Sequence, residues 1–206
     1  MDRGVRNTLF QIAAFIAVVL GLFVSARLSN MDTGPSVEEL RDLGFYTYDD
    51  PRSLSGFTLT DHRGDSVDVG LFQGQWSMVF FGFTFCPDIC PTTMAQLGKA
   101  VTQLESPPQV VMVTVDPERD SPEALANYVP SFNDSFIGVT GEFDDIVTLA
   151  TQVNAAFGKV PGAEPGTYTM DHSASIVVID PEGRYAGFIK APHSVDTIVT
   201  VARTLN

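Results

Sequence analysis

Basic residues are scarce in this chain: 12 Lys and Arg stand against 25 Asp and Glu, for a formal net charge of −13. Residues 1–28 hold three of the basic groups (Arg3, Arg6 and Arg27) and one acidic group (Asp2), so the remainder carries about −15. A surface that negative repels nucleic-acid phosphates and anionic lipid headgroups and attracts cations and basic protein faces, which sets nucleic-acid binding aside. Acidity alone does not make a metal site, because scattered carboxylates are the ordinary solvated surface of a globular domain. Cysteine is scarcer still, with two in 206 residues. No repeat or low-complexity tract is present, and 44 % apolar with 18 % charged residues suits one globular core with an extra hydrophobic segment.

That segment runs from Leu9 to Ala26, 18 residues without a charge and with only Gln11 and Ser25 as polar side chains. About 20 residues span a bilayer, so this is a minimal but adequate membrane helix. Arg3 and Arg6 precede it, and the positive-inside rule then leaves residues 1–8 in the cytoplasm and exports everything after Arg27. A cleaved signal peptide is the competing reading, since Val24-Ser25-Ala26 resembles a small-residue cleavage site. The length of the run and the arginine that follows it favour an uncleaved anchor over 9–26. Residues 27–52 are polar and punctuated by Pro and Gly, as in a linker to a domain over 53–206. A hydrophobic run starting so early leaves no room for an Arg- and Ser-rich transit peptide, which points to a bacterial inner membrane and a periplasmic domain.

Within the domain, Phe57 to Thr60 and Ser66 to Val69 flank a turn-rich stretch and predict a β-hairpin. Trp76 to Phe83 and Gln109 to Val115 are the continuous apolar runs of buried strands. Between them Met94, Leu97, Val101 and Leu104 recur at helical spacing, with Pro91 suited to a first helical position. Ser121-Pro122-Glu123 starts a short capped helix, Phe136 to Val139 is a strand, and a helix is expected from about Phe143 to Phe157. A Gly/Pro loop over Gly158 to Gly166 follows, then a hairpin of Ser175 to Asp180 with Tyr185 to Lys190, and a closing helix from Val195 to Thr204. This order predicts an α/β fold, a central mixed sheet with helices on both faces in a thioredoxin-like topology. The cysteine pair falls where the first core strand runs into its helix, the redox position of that fold by analogy.

Cys86 and Cys90 are separated by Pro87-Asp88-Ile89, one residue more than the Cys-X-X-Cys of thiol-disulfide exchangers, so both sulfurs can converge on an ion. With Pro91 as the first helical residue, Cys90 falls at the cap, where unpaired N–H groups and the helix dipole favour its thiolate. An ordinary structural disulfide is the plain alternative outside the cytoplasm. A loop that short, however, removes little entropy from the unfolded chain. A peroxidase of the peroxiredoxin type is motivated by Thr84, two residues before Cys86, but the loop lacks a proline at the expected distance upstream.

Three segments resemble the Sco (SenC/PrrC-type) proteins, which help assemble the binuclear copper centre of cytochrome c oxidase. They are Phe80-Phe81-Gly82-Phe83-Thr84-Phe85-Cys86-Pro87-Asp88-Ile89-Cys90-Pro91, Val113-Thr114-Val115-Asp116-Pro117-Glu118-Arg119-Asp120-Ser121-Pro122, and Asp171-His172-Ser173, in the family's order. The resemblance implies copper held by Cys86, Cys90 and the distant His172, and it implies delivery to cytochrome c oxidase subunit II. A reductase or redox-sensor role for the Cys86 and Cys90 pair is the alternative, and other periplasmic copper chaperones or thiol oxidoreductases would be further partners. Two soft thiolates and one imidazole independently suit Cu(I), and Cu(II) when a further donor joins, although such a set does not exclude zinc. Thioredoxin-type exchangers carry a proline before the corresponding strand, whereas Met170-Asp171-His172-Ser173-Ala174 has none, which favours metal over general exchange. Asp88 and Asp171 are candidates for tuning the site from outside the ligand set. Met170 is expected to pack, and His62 and His193 are expected at the surface. The Asp116-to-Asp120 segment reads as a turn leading to a helix cap, without a ligand role.

Overall fold

A computed structural model describes residues 3–29 and 34–205. Expectations that fall on residues 1–2 and 30–33, the outer N-terminus and part of the predicted linker, lie outside the described residues. The chain divides into two compact units, residues 1–39 and 40–206. The first holds one long helix, α1 (Arg3–Ser29). Its stretch Arg3–Ser25 contains an 18-residue window of mean hydropathy 2.3 and is long and apolar enough to cross a membrane. A short helix, α2 (Val37–Asp42), leads into the second unit.

The second unit is built on strands β1 (Phe45–Ser53), β2 (Leu59–Asp61), β3 (Ser66–Val67), β4 (Ser77–Gly82), β5 (Gln109–Thr114), β6 (Ile137–Gly141), β7 (Phe157–Pro161), β8 (Tyr168–His172), β9 (Ile176–Ile179) and β10 (Arg184–Ile189). Helices α3 (Ile89–Val101), α4 (Pro122–Tyr128), α5 (Phe143–Gln152) and α6 (Val195–Leu205) connect and close them. Eight strands form one mixed sheet in the order β1-β10-β9-β4-β5-β6-β2-β3. Its centre is parallel, β4 with β5 and β5 with β6, and both flanks are antiparallel. Every residue of β4 and β9 is buried, so side chains pointing to either side of the sheet meet a covered face. Phe72, Phe80, Met112 and Ile198 are among the core residues with no exposure.

The predicted front hairpin is present as β2 and β3, and Ser121 caps α4 by accepting from the Ala124 N–H at 3.2 Å. Three expectations are corrected. β1 begins inside the stretch read as linker and runs to its end, because Phe45, Tyr46 and Thr47 pair with Ile189, Phe188 and Gly187 and so extend the sheet. α5 ends at Gln152, and the chain after it is no loop: β7 and β8 pair antiparallel as a two-stranded ribbon separate from the main sheet. Glycines and prolines there mark the ribbon's turn, a pattern that composition alone reads as irregular. Finally, α3 begins at Ile89, so Pro91 is its third residue and Cys90 lies within its first turn.

Candidate metal centre

The site forms where the central strand β4 hands over to α3. Gly82, the last residue of β4, permits a close approach: a Cβ there would lie 2.9 Å from Phe80 Cε1 and 3.1 Å from Cys90 Sγ. The chain then turns through Phe83, Thr84 and Phe85 to Cys86. This turn is anchored by Asp120, a carboxylate with no exposure. Asp120 accepts from the Thr84 N–H at 2.9 Å, from the Thr84 hydroxyl at 2.6 Å and from the Thr114 hydroxyl at 2.7 Å. A buried carboxylate is stable only when so satisfied, and its partners fix the loop that leads to Cys86.

Cys86 is 9 % exposed at the rim, and Cys90 is fully buried behind it; both are free thiols. The Cys90 N–H, one of the donors left unpaired at the start of a helix, points at Cys86 Sγ at 3.4 Å. Sequence reasoning assigned the helix terminus to the Cys90 thiolate instead. Burial overrides it, pushing the Cys90 thiol well above its ordinary pKa. An isolated Cys90 therefore keeps its proton, and a bound cation is what would replace it.

The third donor arrives on the ribbon. His172 ends β8, and its Nε2 lies 3.2 Å from Cys90 Sγ. Its Nδ1 lies 3.1 Å from the Ser173 carbonyl, which can only accept, so Nδ1 carries the proton and the Nε2 lone pair faces the sulfur. Phe80 and Phe83 stand edge-on to the imidazole, each with ring centres 5.8 Å away, and restrict its rotation. Burial lowers the His172 pKa, partly opposed by the Ser173 carbonyl and by the charge of Asp171, which favours the neutral, ligating form. The Cys86, Cys90 and His172 donor atoms all lie within 4.8 Å of one another. Two sulfurs and one imidazole nitrogen at that separation fit a soft metal ion such as Cu(I) or a borderline one such as Zn(II).

The other candidates separate clearly. Asp88 and Asp171 are exposed and neither hydrogen bonds to the three donors, so only the electrostatic effect of Asp171 on His172 reaches the site. Met170 is 6 % exposed and packs in the core, as expected. The expectation for His193 is overturned: it is buried, with Nε2 3.2 Å from the Ile189 carbonyl. His62 is half-buried, and its Nδ1 accepts from the Gly138 N–H at 3.1 Å. Thr84, the residue behind the peroxidase reading, is held by Asp120 through both its N–H and its hydroxyl. Sequence reasoning missed Asp120 and Arg119; their segment resembled the family, but no ligand chemistry attached to it.

An α/β domain in which a Cys-X3-Cys turn and a strand-borne histidine converge on one point defines a metal-binding thiol protein with a thioredoxin-like fold. The chain belongs to the SCO1/SenC family, whose model matches residues 47–205. The bovine mitochondrial protein SCO2 homolog is 36 % identical over 152 residues, covering 71 % of this chain and 57 % of its own length. Among solved structures, ScoI of Bradyrhizobium japonicum with copper bound is similar at TM-score 0.67 and 30 % identity, over 75 % of this chain and all (100 %) of that one. Apo Sco1 of Thermus thermophilus is similar at TM-score 0.70 and 32 % identity, over 80 % of this chain and 97 % of that one.

Proposed function

We propose that this chain is a copper metallochaperone, tethered to a membrane by α1, that loads the binuclear copper centre of cytochrome c oxidase. Cys86 Sγ, Cys90 Sγ and His172 Nε2 are the donors, a trigonal set for Cu(I) that accepts Cu(II) when a further ligand joins. The observation that carries this reading is the convergence of those three atoms within 4.8 Å in a chain of the SCO1/SenC family. The copper-bound relative from Bradyrhizobium japonicum supports copper over zinc. Delivery proceeds by ligand exchange with a dithiol of subunit II, and no small substrate is turned over. Cys86 at the rim is where an incoming thiolate first reaches the ion, while Cys90 and His172 hold it from behind.

The closeness of the two sulfurs, within 4.8 Å of each other, supports a second use of the same pair. They reduce the partner's copper-site disulfide before metal arrives, with a Cys86–Cys90 disulfide formed as the partner's opens. The domain works on the periplasmic side of a bacterial inner membrane, an orientation supported by Arg3 and Arg6 ahead of the apolar run.

Anaerobic titration of the reduced chain with copper, followed by absorption spectroscopy, tests the central claim. An equimolar end point and a thiolate-to-Cu(II) charge-transfer band are expected, both lost when Cys86 and Cys90 are replaced by Ser. Copper uptake that survives this double replacement would overturn it.

A further inference from the structure

Two consecutive residues, Arg119 and Asp120, each hold a different arm of the site. Asp120 grips the cysteine turn through Thr84. Arg119 reaches the ribbon that carries His172: its guanidinium carbon lies 4.0 Å from the centre of the Tyr168 ring, and its Nη1 donates to the Tyr168 carbonyl at 3.3 Å. The same guanidinium lies 5.1 Å from the Phe85 ring centre and 5.8 Å from that of Phe83, the two residues flanking Thr84 just before Cys86. Tyr168 and His172 are four positions apart on β8, so their side chains share one face of the strand. One planar cation thus touches both arms.

The surroundings show how it does so. Asp116 is buried, accepts from the Tyr168 hydroxyl at 2.9 Å and pairs with Arg119. Arg119 Nη2 is buried with no hydrogen-bond partner, so at that end the guanidinium acts through its flat face. Lys159 adds a second hold on the ribbon, 4.6 Å from the Tyr168 ring centre and 2.6 Å from Glu118. If Arg119 served only to neutralise Asp116, stacking against three rings from two separate segments would be redundant.

We propose that Arg119 is a positioning residue of the metal site, which fixes His172 Nε2 opposite the two sulfurs by stacking Tyr168 against Phe83 and Phe85. The inference takes its cargo from the copper reading above, but the positioning is a property of the metal-free protein. Its means is the guanidinium plane. A lysine at this position keeps a charge for Asp116 and loses the flat surface.

The test uses the full chain in detergent micelles with two variants, Arg119→Lys and Tyr168→Leu. Tyr168→Leu leaves the Asp116–Arg119 pair in place and carries the test should Arg119→Lys fail to fold. The first readout is the pair of imidazole 15N resonances of His172 in the reduced, metal-free protein, which report tautomer and hydrogen bonding. Both variants are expected to move them away from the parent's Nδ1–H pattern. The second readout is Cu(I) affinity by chelator competition, expected to fall at least about tenfold in each variant. In a His172→Ala background Arg119→Lys is expected to change that affinity by less than about twofold, because it acts through the histidine. Parent-like 15N resonances in the folded variants overturn the proposal, as does an undiminished loss in the His172→Ala background. A parent chain that takes up no copper refutes the chaperone reading, and the metal-free resonances then decide the role of Arg119 alone.

Discussion

His172 Nε2 stands 3.2 Å from Cys90 Sγ although 82 residues separate the two in sequence. The Ser173 carbonyl fixes the tautomer and two phenylalanine rings flank the imidazole, so the nitrogen lone pair faces the thiols before any ion arrives. Replacing His172 with Ala removes one of three donors and leaves both sulfurs. Cu(I) affinity in a competition titration is expected to fall at least about tenfold, while the rate of Cys86–Cys90 disulfide formation with a small oxidant stays near that of the parent.

Gly82→Ala places a methyl group 2.9 Å from Phe80 Cε1 and 3.1 Å from Cys90 Sγ. Both neighbours are fully buried, so neither has free space to retreat into. Overpacking of this kind costs about 1–3 kcal/mol. Urea unfolding of the metal-free variant is expected to show a loss in that range, with a displaced Cys90 seen as a shifted charge-transfer band on copper addition.

Asp120→Asn leaves one oxygen to accept where three donors converge and aims an amide N–H2 at hydroxyl or N–H groups. At least one buried donor loses its partner, at a cost of about 1–3 kcal/mol. The expected result is a lower urea midpoint together with faster amide hydrogen exchange at Thr84, the contact through which Asp120 fixes the cysteine turn.

His193 gives a pH prediction of defined sign. Burial lowers its pKa below the ordinary value, with the Ile189 carbonyl opposing only in part. The unfolded chain therefore takes up a proton more readily than the folded one. Stability from this residue is fully present above about pH 6.5 and is lost as pH falls through the lower folded value. The parent's urea midpoint is expected to drop more between about pH 7.5 and pH 5.5 than that of His193→Gln, which has no such proton to gain.

Legibility differed from residue to residue for physical reasons. Buried strands such as Ser77–Gly82 and Gln109–Thr114 announce themselves because both their faces need apolar side chains. Cys86 and Cys90 were visible as a close pair, but His172 could be chosen only by family resemblance, since no local pattern marks a donor brought in by a distant strand. β1 was hidden by its composition: as an edge strand it carries Asp49, Asp50 and Pro51, residues that an exposed edge tolerates and a linker also prefers. His193 is expected at the surface from its place just before the last helix, whereas its hydrogen bond to the Ile189 carbonyl lets it stay inside. Arg119 and Asp120 escaped notice because their chemistry lies in what they hold.

The ribbon of β7 and β8 pairs only with itself and shares no ladder with the eight-stranded sheet. The complete donor set therefore needs both the β4–α3 turn and the ribbon in place, two parts of the chain that no hydrogen-bonded ladder joins. Without the ribbon, the turn alone offers a metal two thiols and no imidazole. Three-donor chelation is thus a property of the folded arrangement and of neither segment by itself.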